Sequence, residues 1–469
     1  MHKLITSEGA DLQTGFMIHA RWNNRYIRNS VRASISFSRY LQRRMIAATI
    51  AMIAVLTSIG YPSATAQAVS VQIESSFLPI RHTVGWSQGR WEREFADLKN
   101  SGINEIVSDG AVFHEGASDV AYYPSKIPGF NVRVDNSGRP VDQLKMLLQT
   151  AEKFGFNVWL GTYVPPDTWY APKDATVEQD AHSNATTTTA ILRELDSLYA
   201  SHSQVISGWY LSSEISASWA WSWTASQALV KYYKELCDAA LSAAITKETL
   251  ISPYYNISAL KDPALWTQLW QKVLRVAPIS AIALQDGTGD VSEWVNPEVQ
   301  ANHIWTKFTS TRAAIAESGA RTSLWANLNF YDLYGYARPI LDIAASHASV
   351  VRHVSKVTSW SFTGHVSPWS LGTNAYYKPF QEWNITGLIK RAAVAPPTNL
   401  IRAAIPGSTR VSWTAATSGA YPIAYYRVFS PSGPQLAEVY STTWMGGEAC
   451  PNIQSVDVAG NVSDKVKTC

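Results

Sequence analysis

The sequence is short of charge, of cysteine and of long apolar runs, and each shortage removes a class of explanation. Asp, Glu, Lys and Arg make up only 16% of the 469 residues, with a net charge of +3. That small surplus is local. The first 44 residues carry eight Lys and Arg against Glu8 and Asp11, and Met45 to Ala68 carries no charge, which leaves the remainder slightly acidic. A slightly acidic body gives no support for nucleic-acid binding, and no nucleic-acid partner is expected. No Gly-rich phosphate loop follows the first strand pattern and no Cys and His spacing matches a zinc site, so no cofactor and no metal are expected. One apolar run stands out, Met45 to Gly60. It is shorter than the roughly 20 residues of a membrane-spanning helix.

Arg43-Arg44 before that run, and Ser63-Ala64-Thr65-Ala66-Gln67-Ala68 after it, have the layout of an export signal with cleavage after Ala66 or Ala68. Residues 1-68 are therefore expected to be an N-terminal extension and signal peptide, and the protein to be secreted, extracellular or at the cell surface. No membrane attachment is expected after cleavage; an uncleaved anchor is the alternative. The three cysteines fit an exported chain. Cys237 falls in a helical pattern as a small buried hydrophobe. Cys450 and Cys469 flank a turn at Ala459-Gly460-Asn461, and a hairpin folded there brings them opposite one another for a disulfide.

What is abundant is hydrophobic residues, at 46%, and aromatics, with 19 Trp and 22 Tyr. The first allows a large core. The second suits a sugar-binding cleft, where flat rings lie against the apolar faces of pyranoses, although core packing consumes aromatics too. From Leu78 to Leu388 strand-like runs alternate with helical ones. The strand runs are Leu78 to Trp86, Ile103 to Phe113, Phe156 to Val164, Val205 to Glu214, Thr249 to Tyr255, Ile279 to Gln285, Thr322 to Phe330 and Lys356 to Thr363. Eight such units argue for a (β/α)8 barrel rather than an open doubly wound sheet. Beyond a linker at 392-397, short alternating runs between Gly, Pro and Ser turns read as a small all-β immunoglobulin-like sandwich over 398-469.

In a barrel the carboxyl ends of the strands carry the chemistry. The fourth run, VISGWYLSSEIS, ends at Glu214 among Trp209, Tyr210 and Trp219. A carboxyl set among aromatics loses hydration and its pKa rises, as a general acid at neutral pH requires. Hydrolysis of a glycosidic bond needs a second carboxyl. Asp286 ends the sixth strand and is the first choice; Asp332 after the seventh and Asp109 on the second are the other candidates. Asp109-Gly110 and Asp286-Gly287 also read as plain turns. Trp86, Tyr163, Trp219 and Trp360 are expected to stack on sugars, with Asn327 and Asn329 as polar contacts.

The runs GWYLSSEIS, ALQDGTG and SLWANLNFYD resemble the glycoside-hydrolase-like barrel family DUF4434, and more broadly the clan of retaining barrel glycosidases. The resemblance spans roughly Leu78 to Leu388. It implies an acid/base at Glu214 and a nucleophile at the end of the seventh strand. There the chain departs: Ala326-Asn327-Leu328-Asn329 offers amides, and an amide cannot serve as a glycosyl nucleophile in the same way. The segments VSWTAAT, YYRVF and VDVAGNVSD resemble a fibronectin type III domain. A secreted, monomeric glycoside hydrolase with a barrel over 69-391 is the expectation, and a non-catalytic polysaccharide-binding barrel is the alternative.

Overall fold

The computed structural model describes residues 71–469 apart from Ala244, 258–259, 290–296, Leu333, Leu371 and Thr373. The expected signal segment lies outside the described residues. Eight parallel strands form one sheet in chain order: β1 (Ser75–Leu78), β2 (Glu105–Ser108), β3 (Asn157–Gly161), β4 (Ile206–Tyr210), β5 (Glu248–Ile251), β6 (Ala281–Gln285), β7 (Ser323–Asn329) and β8 (Lys356–Trp360). Between and after them run helices α1 (Gln88–Asn100), α2 (Gln143–Phe154), α3 (Val177–Leu198), α4 (Trp223–Ser242), α5 (Pro263–Val276), α6 (Pro297–Ser318), α7 (Ile340–Val350) and α8 (Asn374–Thr386). This is a (β/α)8 barrel.

The seam between β1 and β8 is joined by hydroxyls. Thr358 Oγ1 donates to Ser75 Oγ at 3.1 Å, and Ser359 Oγ to Ser76 Oγ at 3.1 Å. Those two serines are also why β1 sits earlier than the Leu78-to-Trp86 run predicts: polar residues serve the seam, and Pro79 then ends the strand ahead of a 3-10 turn at Ile80–Thr83. The helix starts follow local chemistry. Ser87, Asp142, Ser222 and Asp262 each accept a hydrogen bond from a first-turn N–H, and Gly155 closes α2 at φ 73°.

Alternation along the strands decides what fills the barrel. Phe77, Val107, Trp159, Tyr210, Leu250, Ala281, Ala283 and Trp325 point inward and pack together, with Trp360 beside them. Trp159 and Trp325 meet edge-on at 5.6 Å, and Phe77 meets Tyr210 at 5.1 Å. Gly208 makes room for this filling, since a Cβ there would lie 2.4 Å from the Trp159 ring. At the amino-terminal end of the strands, Lys356 Nζ reaches Glu105 Oε2 at 3.0 Å and lies over the Trp325 ring. The outward-facing residues form the larger core against the helices.

The second strand run divides into two. Past Asp109 and Gly110 the chain leaves the barrel and builds a small sheet from Val112–Glu115, Ser118–Ala121, Asn131–Val132 and Tyr163–Val164 over the carboxyl ends of β2 and β3. Beyond α8 the chain is all-β. A three-stranded antiparallel sheet, β9 (Thr398–Ile405), β10 (Ser408–Thr414) and β13 (Thr443–Gly446), packs on a four-stranded one, β11 (Ile423–Phe429), β12 (Gln435–Val439), β14 (Asn452–Asp457) and β15 (Val466–Lys467). Val411, Trp413, Tyr426, Val428, Trp444 and Ile453 are its core. The expected disulfide between Cys450 and Cys469 is formed, with Cα atoms 5.6 Å apart, and Cys237 is buried and free. Among the described residues, no helix is long and apolar enough to cross a membrane.

Candidate active site

A cleft of about 480 Å³ opens at the carboxyl ends of the barrel strands. The inward parity of each strand continues into it. On β4 the series Gly208 and Tyr210 runs on to Ser212 and Glu214; on β6 Ala281 and Ala283 lead to Gln285; on β7 Trp325 leads to Asn327 and Asn329; on β2 Val107 leads to Asp109. Trp360, Phe113, Tyr254 and Tyr331 supply aromatic surface, and Arg81 comes from the 3-10 turn after β1. A larger opening, about 710 Å³, lies at the opposite end among Arg275, Ser280 and Arg321. Barrel enzymes do not place chemistry at that end.

Glu214 is half-buried in the cleft wall. Loss of hydration pushes its carboxyl up to about 7, partly offset by hydrogen bonds from the Gln285 amide and the Tyr170 hydroxyl, whose Oη lies 3.4 Å from Oε2. Tyr170 is itself fixed, because its carbonyl accepts from Ser216 Oγ at 2.6 Å. Gln285 is steadied by donating to the Ser252 carbonyl at 3.1 Å. A carboxyl that titrates near neutrality, held by two neutral donors, is able to deliver a proton at pH 7 and to hold the resulting charge.

Among the described residues, Asp109 is the second carboxyl that lines the cleft. Burial raises it to about 7 against the Ile80 backbone N–H, which donates to Oδ1 at 2.8 Å, and the nearby Arg81 charge. Buried Tyr210 lies near Glu214, Tyr170 and Asp109 alike, and burial together with their negative charge holds its phenol far above the usual range. On β7, Asn327 donates from Nδ2 to Ser252 Oγ at 3.1 Å, while its Oδ1 is buried without a partner among the described residues.

Asp286 is elsewhere. Parity turns it away from the cleft into the layer behind β6, where it is 1% exposed. Its Oδ1 accepts from the Asn329 N–H at 3.1 Å and the Thr288 N–H at 3.2 Å, and Arg338 Nη1 stands 3.9 Å from Oδ2. Burial raises its pKa against these stabilising partners. The expectation that Asp286 faces the substrate is therefore corrected: the carboxylate ties β6 to β7. Asp332 is likewise removed from the cleft. Its Oδ1 caps the turn at the Tyr334 and Tyr336 N–H groups, at 2.8 and 3.0 Å, and its Oδ2 accepts from Tyr440 of the C-terminal sheets.

Of the expected aromatic contacts, Trp360 lines the cleft with Asn327 and Asn329. Trp86 instead packs 5.1 Å from Trp91 beneath the Arg90 guanidinium. Trp219 is fully buried, donating its indole N–H to the Trp169 carbonyl at 3.0 Å. Tyr163 borders a separate pocket of about 210 Å³ and donates to Asp119 at 2.8 Å. Sequence reasoning missed Gln285, Tyr170 and Arg81. Period-two alternation from Ala281 and Ala283 signals Gln285; loop residues such as Tyr170 and Arg81 carry no such pattern. Among the described residues, no group of three or more His, Cys, Asp or Glu gathers as a metal site.

Residues 72–371, which hold the barrel strands and the whole cleft, match the family model described as Domain of unknown function (DUF4434). The chain belongs to that family. No curated protein sequence matches it at a significant level. Among solved structures, the "putative alpha-L-fucosidase" from Bacteroides thetaiotaomicron VPI-5482 is similar at 18% identity and TM-score 0.52, covering 70% of this chain and 100% of that one. The endo-1,4-beta-mannanase from Rhizomucor miehei aligns at 11% identity and TM-score 0.43, over 67% and 93% of the two chains. The endoglucanase catalytic domain from Thermobifida fusca aligns at 12% identity and TM-score 0.41, over 68% and 91%. The first of these likenesses is one of fold.

Proposed function

We propose that this DUF4434 barrel is a secreted glycoside hydrolase acting on a poly- or oligosaccharide. The observation that carries the reading is Glu214, a cleft carboxyl raised to about 7 and hydrogen-bonded by Tyr170 and Gln285. Glu214 protonates the leaving glycosidic oxygen. Asp109, the other cleft carboxyl, replaces Asp286 as its partner and acts on the sugar or on the attacking water. Trp360 and Tyr254 stack on pyranose faces while Asn327 and Asn329 bind hydroxyls. The C-terminal sheets are a fibronectin type III-like spacer, and the disulfide accords with an exported protein.

A second reading has its own support. The amides at Asn327 and Asn329, and the sequestration of Asp286, suit a barrel that binds polysaccharide without cleaving it. The test is product release and affinity on a polysaccharide panel for the parent protein, Glu214→Gln and Asp109→Asn. Release by the parent, lost in both variants with binding retained, supports hydrolysis with this pair. Binding by all three with release by none supports the second reading.

A further inference from the structure

Among the described residues, the cleft lining holds two carboxyls, Asp109 and Glu214, and one cation, Arg81. Arg81 alone is a permanent cation. Its position is prepared rather than incidental. The 3-10 turn that carries it is fixed at both ends, the Ile80 N–H donating to Asp109 Oδ1 at 2.8 Å and Thr83 Oγ1 to the Ile80 carbonyl at 2.8 Å. The guanidinium then lies over the Phe113 ring, 4.6 Å from its centroid, and Phe113 is itself held in the small sheet. Stacking of this kind leaves the N–H edge of the fork free to take an oxyanion.

No carboxylate occupies that edge. Among the described residues Arg81 makes no ion pair, although its charge is felt at Asp109 and at Tyr170, the residue that hydrogen-bonds Glu214. The cation is thus near Asp109 and forms no ion pair with it. Both carboxyls take up protons near pH 7, so below that pH the described lining carries a net positive charge. A neutral glycan has no use for such a group, whereas a carboxylate on a sugar ring fits it by charge and by its two-oxygen geometry.

We infer that the substrate of this cleft is an acidic glycan, and that Arg81 binds the carboxylate of a uronic acid residue next to the scissile bond. The inference rests on the barrel being a glycan-acting cleft and deepens that reading by naming the substrate class. The probes are oligosaccharides of polygalacturonate, alginate and glucuronoxylan, each paired with its carboxyl-reduced neutral twin, together with a sulfated galactan. Affinity and product release are measured on the full chain, on Arg81→Met and on Arg81→Lys.

At least one uronate is expected to bind about tenfold or more tightly than its reduced twin, the effect of a charge-assisted pair. Arg81→Met brings that ratio towards one, and Arg81→Lys, which keeps charge without the fork, restores part of it. Equal binding of acidic and reduced forms overturns the inference, as does a preference that survives Arg81→Met. Tighter binding of the sulfated galactan than of every uronate overturns the carboxylate assignment. Release from neutral glycans without acid preference sinks this inference and leaves the hydrolase reading standing. Absence of both binding and release across the panel overturns both.

Discussion

The ends of β4 and β6 each deliver a carboxyl to nearly the same height in the barrel, and the two have opposite fates. Glu214 continues the inward series of Gly208, Tyr210 and Ser212, so it reaches the cleft. Asp286 follows inward-facing Gln285 by one residue, so it points into the layer behind the strands. Burial raises both pKa values, yet the partners differ in kind. Glu214 is met by side chains of the cleft, Tyr170 and Gln285, whereas Asp286 is met by the backbone N–H groups of Asn329 and Thr288 and by Arg338. A perturbed carboxyl at a strand end is therefore no mark of chemistry by itself; the parity of the strand tells a group facing the cleft from a tie.

The largest way to sharpen this contrast is Glu214→Gln. Removal of a general acid is expected to lower turnover about 10²- to 10⁴-fold while the melting temperature stays level or rises, since a desolvated carboxyl is gone. Asp286→Ala should do the reverse. It strands two backbone N–H groups and the Thr288 hydroxyl, which donates to Oδ2 at 3.1 Å, and a loss of about 3 kcal/mol in denaturant unfolding is expected, with turnover per folded molecule largely kept. Collapse of turnover in fully folded Asp286→Ala would break the contrast.

The pH dependence is a subtler probe. A general acid raised to about 7 is protonated below that pH, so turnover should fall as pH rises through about 7. Tyr170→Phe removes a donor that favours the charged form, which moves that alkaline limb upward in the pH–rate profile. The same shifts act on stability. Asp109 and Glu214 hold their protons more tightly folded than unfolded, so their contribution to stability is full below about pH 4 and is lost as pH rises towards about 7. Unfolding titrations of Glu214→Gln should show a shallower decline over that window than the parent. Asp332→Asn is the smallest expected effect, about 1 kcal/mol of stability from weakened turn and Tyr440 contacts, with turnover unchanged.

Much of the fold was legible because eight alternating units leave few other architectures. Glu214 was legible for a related reason, an uncharged strand leading to one carboxyl among aromatics. The errors have physical causes. Ser75 and Ser76 hid β1 because their hydroxyls serve the barrel seam rather than a hydrophobic face. Trp219 was expected to meet sugar, but its loop folds back and buries the ring 4.5 Å from Trp169. Asp286 and Asp332 stand at or just past strand ends in the sequence, where one residue of offset reverses the face of a strand. Arg81 and Tyr170 stand on short 3-10 turns whose direction depends on contacts made far away in sequence, such as Ile80 to Asp109 and Tyr170 to Ser216.

The most direct test is release of oligosaccharide by the parent, Glu214→Gln and Asp286→Asn proteins assayed side by side and normalised to folded protein. Release by the parent and Asp286→Asn with none from Glu214→Gln is the predicted result. Release that survives Glu214→Gln and disappears in folded Asp286→Asn would contradict the account, because the proton donor would then belong to β6.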